Sequence, residues 1–208
     1  MAHPVFARVF ALLIRCAEPT LAEHRQDLVA GLRGRVIEVG AGTGAGFRHY
    51  PPEVSELVAV EPEPYLRELA QRAARAAPVP VTVVAGDAAS LPFEDGGFDA
   101  AVVSLVLCSV PDPPRALAEI RRVLRPGGEL RFWEHVAAPE GSPLRVFQRT
   151  VDVVWPRVGG GCHTSRETVQ AIAASGFEVG ELRHFDLNRG PTKPHVLGVA
   201  RPAQASSA

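Results

Sequence analysis

Arg35-Val-Ile-Glu-Val-Gly-Ala-Gly-Thr-Gly-Ala-Gly46 is the stretch that decides the fold of this 208-residue chain. Its first apolar residues, Val36 and Ile37, indicate a buried β-strand, and the glycines that follow predict a tight turn. Because glycine has no Cβ, the backbone N–H groups of such a turn can approach a ligand closely. The stretch therefore predicts a strand that leads into a ligand-binding loop.

Strands and helices alternate on both sides of this loop. The segment 98–107 is apolar without alternation, which is typical of a strand buried on both faces of a parallel sheet. The other strands are predicted at 35–39, 57–60, 81–85, 129–134, 177–185 and 195–201. Helices are predicted at 4–17, 19–32, 45–50, 62–77, 113–124, 143–155, and from a capping box at Thr164 and Glu167 to Gly176.

This order predicts an α/β fold. We expect a doubly wound, Rossmann-like sheet of seven mostly parallel strands, with an antiparallel hairpin at one edge and extra N-terminal helices. Residues 1–208 are predicted to form a single domain, since neither a repeat nor a linker interrupts the pattern. Within it, 1–34 would be a helical lid or packing segment, 35–135 the cofactor-binding core, and 136–201 the substrate side with the closing strands. The tail after Pro202 is predicted to fray.

The composition is that of an ordinary globular protein, with 46% hydrophobic and 22% charged residues. A net charge of −1 gives no general attraction to nucleic acid, and we expect no such partner. Three widely spaced cysteines argue against a disulfide framework and for a reducing compartment. No apolar run approaches the ~20 residues of a membrane span. We therefore predict a cytoplasmic protein with at most peripheral membrane contact.

The glycine loop and one acidic residue point to a nucleoside ligand. Gly40-x-Gly42-x-x-Ala45 satisfies the dinucleotide-binding fingerprint. Glu61 ends the second strand, where a carboxylate can accept hydrogen bonds from both hydroxyls of a ribose. NAD and S-adenosylmethionine each carry a ribose, so these two features leave both cofactors open.

Three further features separate the two cofactors. Gly86-Asp87-Ala88 follows the third strand, where a carboxylate can accept the amino proton of an adenine. The apolar fourth strand leads into Cys108-Ser109. A helix end, Arg121-Arg-Val-Leu-Arg-Pro-Gly-Gly128, precedes the fifth strand.

The glycine loop, Glu61, Gly86-Asp87-Ala88 and the segment ending at Gly128 together resemble class I S-adenosylmethionine-dependent methyltransferases, over roughly residues 35–135. The resemblance implies S-adenosylmethionine as the cofactor, bound outside the carboxyl ends of the strands. It implies these roles: Glu38 supports the loop, Gly40, Gly42 and Gly44 face the methionyl end, Glu61 with Pro62 takes the ribose, Asp87 and Ala88 flank the adenine, and Leu105 lines the sulfonium.

A narrower resemblance covers nearly the whole chain from residue 25 onward. Its motifs look like those of the methyltransferase-like thiol S-methyltransferases, which are membrane-associated in animals. The motifs are Leu105-Val-Leu-Cys-Ser-Val110, Phe132-Trp-Glu-His-Val-Ala137, Gly161-Cys-His-Thr-Ser-Arg-Glu167 and Lys193-Pro-His195. This likeness implies a small lipophilic thiol as the methyl acceptor. The long N-terminal hydrophobic anchor of the animal proteins is lacking here, so membrane attachment is not expected.

His135 is the predicted general base, because it ends the fifth strand at the edge of the sheet where the cofactor is expected. A thiol has a free pKa of about 8.5 and needs only weak help from such a base. Cys108 is expected to form a wall of the acceptor pocket, since direct methyl transfer needs no enzyme nucleophile. His163 and His195 are expected to have structural roles. Cys162-His163 with His135 matches no standard zinc spacing, so no metal is predicted.

Two other functions remain open from the residues. A methyltransferase acting on oxygen or carbon in quinone or secondary metabolism would share the general motifs. A non-catalytic nucleotide-binding module, or a nicotinamide-dependent enzyme, would use the same glycine loop.

Overall fold

The computed structural model describes residues 4–187 and 190–203, and its seven strands form one sheet in the order β3-β2-β1-β4-β5-β7-β6. The strands are β1 Gly34–Val39, β2 Val54–Val60, β3 Val81–Val84, β4 Phe98–Ser104, β5 Leu124–His135, β6 Phe177–Asp186 and β7 Pro194–Pro202. The helices are α1 Pro4–Val29, α2 Pro64–Ala74, α3 Pro113–Val123, α4 Pro143–Val151, α5 Trp155–Val158 and α6 Thr168–Ala174, with a 3-10 turn at Phe47–His49.

The topology is the predicted doubly wound sheet. β1 to β5 pair in parallel, while β7 is antiparallel to both β5 and β6 and closes the edge hairpin. The chain runs outward from β1 to β3 and then returns to β4 on the other side of β1. A crevice therefore opens between the carboxyl ends of β1 and β4, where ligands bind in sheets of this kind.

The buried strand β4 divides the core into two apolar layers. Ala101 and Val103 pack on the side of α3 and α6, whereas Ala100 and Val102 pack on the side of α1 and α2. Both faces of β4 are covered, so every position from Ala100 to Val103 is apolar. This explains why the sequence of β4 shows no alternation.

The N-terminal segment differs from the prediction of two helices, because α1 runs unbroken through Pro19. A proline inside a helix loses one hydrogen bond and usually breaks the helix. Here Leu21, Leu28 and Val29 are buried against the core and hold the second half of α1 in line with the first. No helix among residues 4–187 and 190–203 is long and apolar enough to cross a membrane.

The predicted capping box is also wrong, since the last helix begins at Thr168 rather than near Thr164. Thr164 instead donates its hydroxyl to the Asp152 carboxylate, at 2.8 Å, and Glu167 pairs with Arg145. Asp152 lies just after α4, where the predicted helix 143–155 divides into two. Tertiary partners have replaced the local cap.

Replacing Leu117 on α3 by alanine should lower the free energy of unfolding by about 2–5 kcal/mol, because its side chain is fully buried beneath β4. The matched control is Leu12→Ala on α1, where the side chain is 56% exposed and the change should stay within about 0.5 kcal/mol. Urea unfolding of both variants measures the difference. Equal losses would contradict the packing described here.

Candidate functional site

A narrow groove lies at the carboxyl ends of β1 and β4. Its enclosed volume is about 30 Å³, roughly that of one water molecule. Phe10 and Ile14 of α1 form one wall of this groove. The opposite wall comes from the glycine loop and from the turn after β4, and the remaining lining residues are Arg25, Glu38, Gly40, Ala41, Gly42, Thr43, Ala45, Ser104 and Leu105.

Glycine is required at two positions of the loop. Gly40 has φ +75°, and a Cβ there would lie 2.6 Å from the side chain of Val106. Gly44 has φ +73°, and the space beside its Cα is filled by Phe47 and by the backbone of Ala70. Gly40 thus allows the loop to approach the turn after β4, and Gly44 allows it to pack on α2.

Glu61 ties the glycine loop to the end of β2. Its Oε2 accepts the Gly42 N–H at 2.7 Å, and its Oε1 accepts the Glu63 N–H at 2.9 Å. Burial raises the pKa of Glu61, and these two N–H bonds oppose that effect. The carboxylate thus holds the backbone around the groove in place, although Glu61 does not itself line the small enclosed space.

The other predicted cofactor residues at this edge sit at the ends of β2 and β3. The carbonyl of Pro62 accepts a hydrogen bond from Arg67, at 3.0 Å. Asp87 is exposed, and its Oδ1 accepts the N–H of Ala89 at 2.8 Å. Ala88 is half-buried against the apolar core. Because β2 and β3 are parallel neighbours, Glu61 and Asp87 follow the same edge of the sheet.

Glu38 is a buried acid at the bottom of the groove. The hydroxyl of Tyr50 donates to its Oε2 at 2.9 Å, and the cation of Arg25 is close enough to attract it. Burial nevertheless raises the pKa of Glu38 to about 7. A ligand that brings positive charge into the groove would favour the ionised form of this carboxylate.

Glu134, which the sequence analysis did not single out, fixes the turn after β4. Its carboxylate accepts three backbone N–H groups, from Val106 at 2.8 Å, Leu107 at 2.9 Å and Cys108 at 3.2 Å. Leu105 just before them has φ +59°, the one positive φ at a non-glycine position among the described residues. An acid at the end of the buried strand β5 was the available sequence signal, because such a group needs buried donors.

Cys108, His135 and Cys162 come together beyond this turn, and we call them the Cys–His cluster. One nitrogen and two sulfur atoms of these side chains all lie within 4.8 Å of one another. His135 Nε2 is 3.1 Å from Cys162 Sγ, and the indole N–H of Trp155 donates to that sulfur at 3.3 Å. The predicted residues His135 and Cys108 are thus neighbours, and Cys162, which from sequence was considered only for a metal site and rejected, is the third member.

The three groups of the cluster shift one another's acidity. Hydrogen bonds from Cys108 and then from His135 lower the pKa of the Cys162 thiol. The hydrogen bond with Cys162, followed by burial, raises the pKa of Cys108 well above its usual value. Burial is the largest single effect on the pKa of His135 and lowers it, but the bond to Cys162 and the negative charges of Cys162, Glu134 and Asp152 together raise this pKa. The cluster therefore stabilises negative charge on Cys162.

The loop that carries Cys162 is held from two sides. The His163 N–H donates to the Cys108 carbonyl at 2.9 Å, and Asp152 accepts the Thr164 N–H at 2.7 Å. Gly161 has φ +91°, and a Cβ there would lie 2.8 Å from the carbonyl of Ser109. The Gly161-Cys-His sequence was the signal for this contact, since only glycine permits such close approach.

His195 lies on the hairpin side of the cluster. Its ring is 6.1 Å from that of His135 and stacks at 5.7 Å on Phe185. Burial lowers the pKa of His195 to about 4, so the ring is neutral at physiological pH. Its Nδ1 lies 3.1 Å from the Lys193 carbonyl.

Comparison with known proteins shows which protein family this fold and this site belong to. The methyltransferase domain family matches residues 37–132. The human thiol S-methyltransferase TMT1B is 36% identical over 208 residues, covering 94% of this chain and 85% of that protein. Human TMT1A is 35% identical over 180 residues, covering 82% of this chain and 72% of that protein. The demethylmenaquinone methyltransferase of Renibacterium salmoninarum is 38% identical over 120 residues, covering 57% of this chain and 48% of that protein.

Solved structures share the architecture. An S-adenosylmethionine-dependent methyltransferase from Mesorhizobium loti aligns with TM-score 0.63 at 19% identity, covering 87% of this chain and 97% of that one. The [4+2]-cyclase SpnF aligns with TM-score 0.71 at 24% identity, covering 88% and 82%. These identities show the fold alone.

The fold, the matching domain family and the similar relatives together show that this chain is an S-adenosylmethionine-dependent methyltransferase. Within that class, the chain belongs to the family of the thiol S-methyltransferases TMT1A and TMT1B.

The groove fits S-adenosylmethionine in its chemistry. A buried carboxylate whose pKa is raised, Glu38, is suited to a ligand that carries a sulfonium and an ammonium group. A side chain at Gly40 would disrupt the contact between the loop and the turn after β4. The nicotinamide alternative is not favoured, because the matching domain family and the similar relatives are methyltransferases.

Glu38 should make stability depend on pH. Its pKa is about 7 in the folded chain and near 4.5 when unfolded, so the folded state binds the extra proton between these values. Stability should fall as pH rises through this window, by about 3 kcal/mol for a shift of this size. Glu38→Gln should remove this pH-dependent contribution. The groups that face Glu38, which are Tyr50, Arg25 and Glu61, are unchanged in this variant. Urea unfolding of both proteins at pH 4.5 and 7.5 measures it; a pH-independent difference between them would refute the assignment.

Proposed function

We propose that this enzyme transfers a methyl group from S-adenosylmethionine to the sulfur of a small lipophilic thiol in the cytoplasm. The main support for this proposal is the fraction of the chain that aligns with the thiol S-methyltransferases. The relatives that are named thiol S-methyltransferases align with up to 94% of the chain, whereas the quinone methyltransferase aligns with 57%. The likeness to the thiol enzymes thus reaches well beyond a shared cofactor-binding core.

The cofactor supplies a methyl group on a sulfonium, which is a good leaving group, so the chain has mainly to align donor and acceptor. In this proposal Glu38 and the glycine loop hold the methionyl end, Glu61 and Pro62 the ribose, and Leu105 the sulfonium. Asp87 and Ala88 flank the adenine at the end of β3. Alignment of this kind contributes about 7–11 kcal/mol to such reactions.

The acceptor lies in our proposal on the side of the Cys–His cluster. The turn held by Glu134 joins Leu105, which lines the groove, to Cys108, which belongs to the cluster. The polar inventory of the cluster is small and rich in sulfur, which suits a thiol better than a polyhydroxylated substrate. His135 and Cys108 act on the acceptor together with Cys162.

Helix α1 acts in this proposal as a lid. Binding pockets for small molecules enclose about 300–1,000 Å³, far more than the groove contains. Phe10 and Ile14 line the groove, while Leu13 on the outer face of α1 is 60% exposed. In this proposal the first half of α1 moves aside to admit the cofactor.

The acceptor is tested by incubating the protein with labelled S-adenosylmethionine and butanethiol, phenol or a quinol. Methylated butanethiol is expected. Cys162→Ser and His135→Asn should each lower kcat by about 100-fold or more, whereas Cys16→Ser, at an exposed cysteine on α1, should leave it unchanged. Transfer to phenol or quinol with none to the thiol would refute the proposal.

The lid is tested by the kinetics of S-adenosylhomocysteine binding. Phe10→Ala and Ile14→Ala should widen the groove and raise the association rate by about threefold or more, because less of the protein is closed. Leu13→Ala changes the outer face of the same helix and should bind at the wild-type rate. Stopped-flow fluorescence gives all the rates, and equal rates in the three variants would argue against a lid.

A further inference from the structure

The Cys–His cluster has the geometry of a three-ligand metal site. A tetrahedral zinc ion with Zn–S near 2.3 Å and Zn–N near 2.05 Å places its ligand atoms ~3.5–3.8 Å apart. His135 Nε2 and Cys162 Sγ are 3.1 Å apart, and no pair in the cluster exceeds 4.8 Å. Shifts of less than about an ångström would therefore bring all three atoms to coordination distance.

The ligand types also suit zinc. Two thiolates and an imidazole are soft or borderline donors, which select zinc-like d10 cations over magnesium or calcium. Structural zinc sites use four protein ligands, whereas catalytic sites use three and leave the fourth position for water or substrate. Among the described residues, Cys108, His135 and Cys162 form the one group of three His, Cys, Asp or Glu side chains with converging ligand atoms.

The surroundings balance the charge of such a site. Zinc with two thiolates and a neutral imidazole carries no net charge, so a third thiolate would leave one negative charge. Arg166 is fixed beside the cluster by bonds from its Nη1 to the carbonyls of Leu107, at 2.6 Å, and Val110, at 2.8 Å. The Trp155 N–H already donates to the Cys162 sulfur, as outer donors do around metal thiolates.

The fold creates this arrangement from distant parts of the chain. Cys108 follows β4, His135 ends β5, and Cys162 lies in the loop between α5 and α6, so that successive members are 27 positions apart in the sequence. Known zinc motifs are recognised by two ligands a few residues apart. This is why the spacing along the sequence predicted no metal.

We propose that Cys108, His135 and Cys162 bind one zinc ion, and that the sulfur of the acceptor thiol takes the fourth coordination position. The second part rests on the proposed function, because it assumes a thiol acceptor. The site would present the acceptor as a thiolate at neutral pH, beside the turn that leads back to Leu105.

The acceptor thiol releases its proton to solvent when its sulfur binds zinc. That sulfur then donates an electron pair to the methyl carbon, and the bond from this carbon to the sulfonium breaks, with its electron pair remaining on the departing S-adenosylhomocysteine. The product thioether is neutral and a weaker zinc ligand than a thiolate, so it leaves the site.

Metal binding is tested with the full-length protein, reduced and treated with a chelator, by adding Cd²⁺ as a spectroscopic probe. A thiolate-to-metal charge-transfer band should appear and saturate at one equivalent. Cys108→Ser and Cys162→Ser should each weaken binding by about 100-fold or more, and Cys16→Ser should not change it. Absence of the band, or its survival in Cys162→Ser, would overturn the metal site.

Two measurements on the wild-type protein guard against variants that fail to fold. Zn²⁺ should protect Cys162 from alkylation while Cys16 stays reactive, as peptide masses would show. Equal alkylation with and without zinc, or a mass loss of two hydrogens that links Cys108 to Cys162, would overturn the proposal in favour of free thiols or a disulfide.

The fourth position is tested on protein loaded with Co²⁺. Butanethiol should shift the visible absorption of the cobalt ion, and butanol at the same concentration should not. An unchanged spectrum with butanethiol would overturn the acceptor position while leaving the metal site standing. A shifted spectrum with no methylated product would support thiol coordination and refute the proposed function instead.

Discussion

The three N–H bonds to the Glu134 carboxylate are the interaction on which the rest of the site depends. They hold the backbone from Val106 to Cys108 in a turn that directs Leu105 to the groove and Cys108 to the cluster. Glu134 is fully buried and burial raises its pKa, whereas these N–H bonds oppose that effect because they stabilise the ionised form. Replacing this acid would leave the donors unpaired in the core, at a cost of about 1–3 kcal/mol each.

Buried acids recur around the groove because parallel strands end there. Glu38 at the end of β1, Glu61 after β2 and Glu134 at the end of β5 are each at most 5% exposed. Burying each carboxylate costs stability because the group loses its hydration. Hydrogen bonds from a hydroxyl or from backbone N–H groups offset part of this cost. Such groups are already oriented before a cationic ligand arrives, so little reorganisation is needed on binding.

The fold could be predicted in large part from sequence. The apolar run of β4, the glycine loop and the order of elements gave the seven-stranded doubly wound sheet with its edge hairpin. Local rules failed where tertiary contacts override them. Pro19 did not end α1, because buried leucines carry the helix through it. Thr164 did not cap a helix, because its hydroxyl and backbone N–H both donate to Asp152 and the helix begins only at Thr168.

The sequence by itself determined the order of strands and helices and the resemblance to S-adenosylmethionine-dependent methyltransferases, because the glycine loop and the acids after neighbouring strands are local patterns that one strand order brings together. It also identified His135 and Cys108 as separate residues of interest. Only the tertiary structure brought them together with Cys162, placed Glu134 beneath the turn and put Phe10 and Ile14 of α1 in the lining of the groove. These contacts span 26 residues or more along the chain, and no periodicity or spacing encodes a meeting that depends on how whole elements pack.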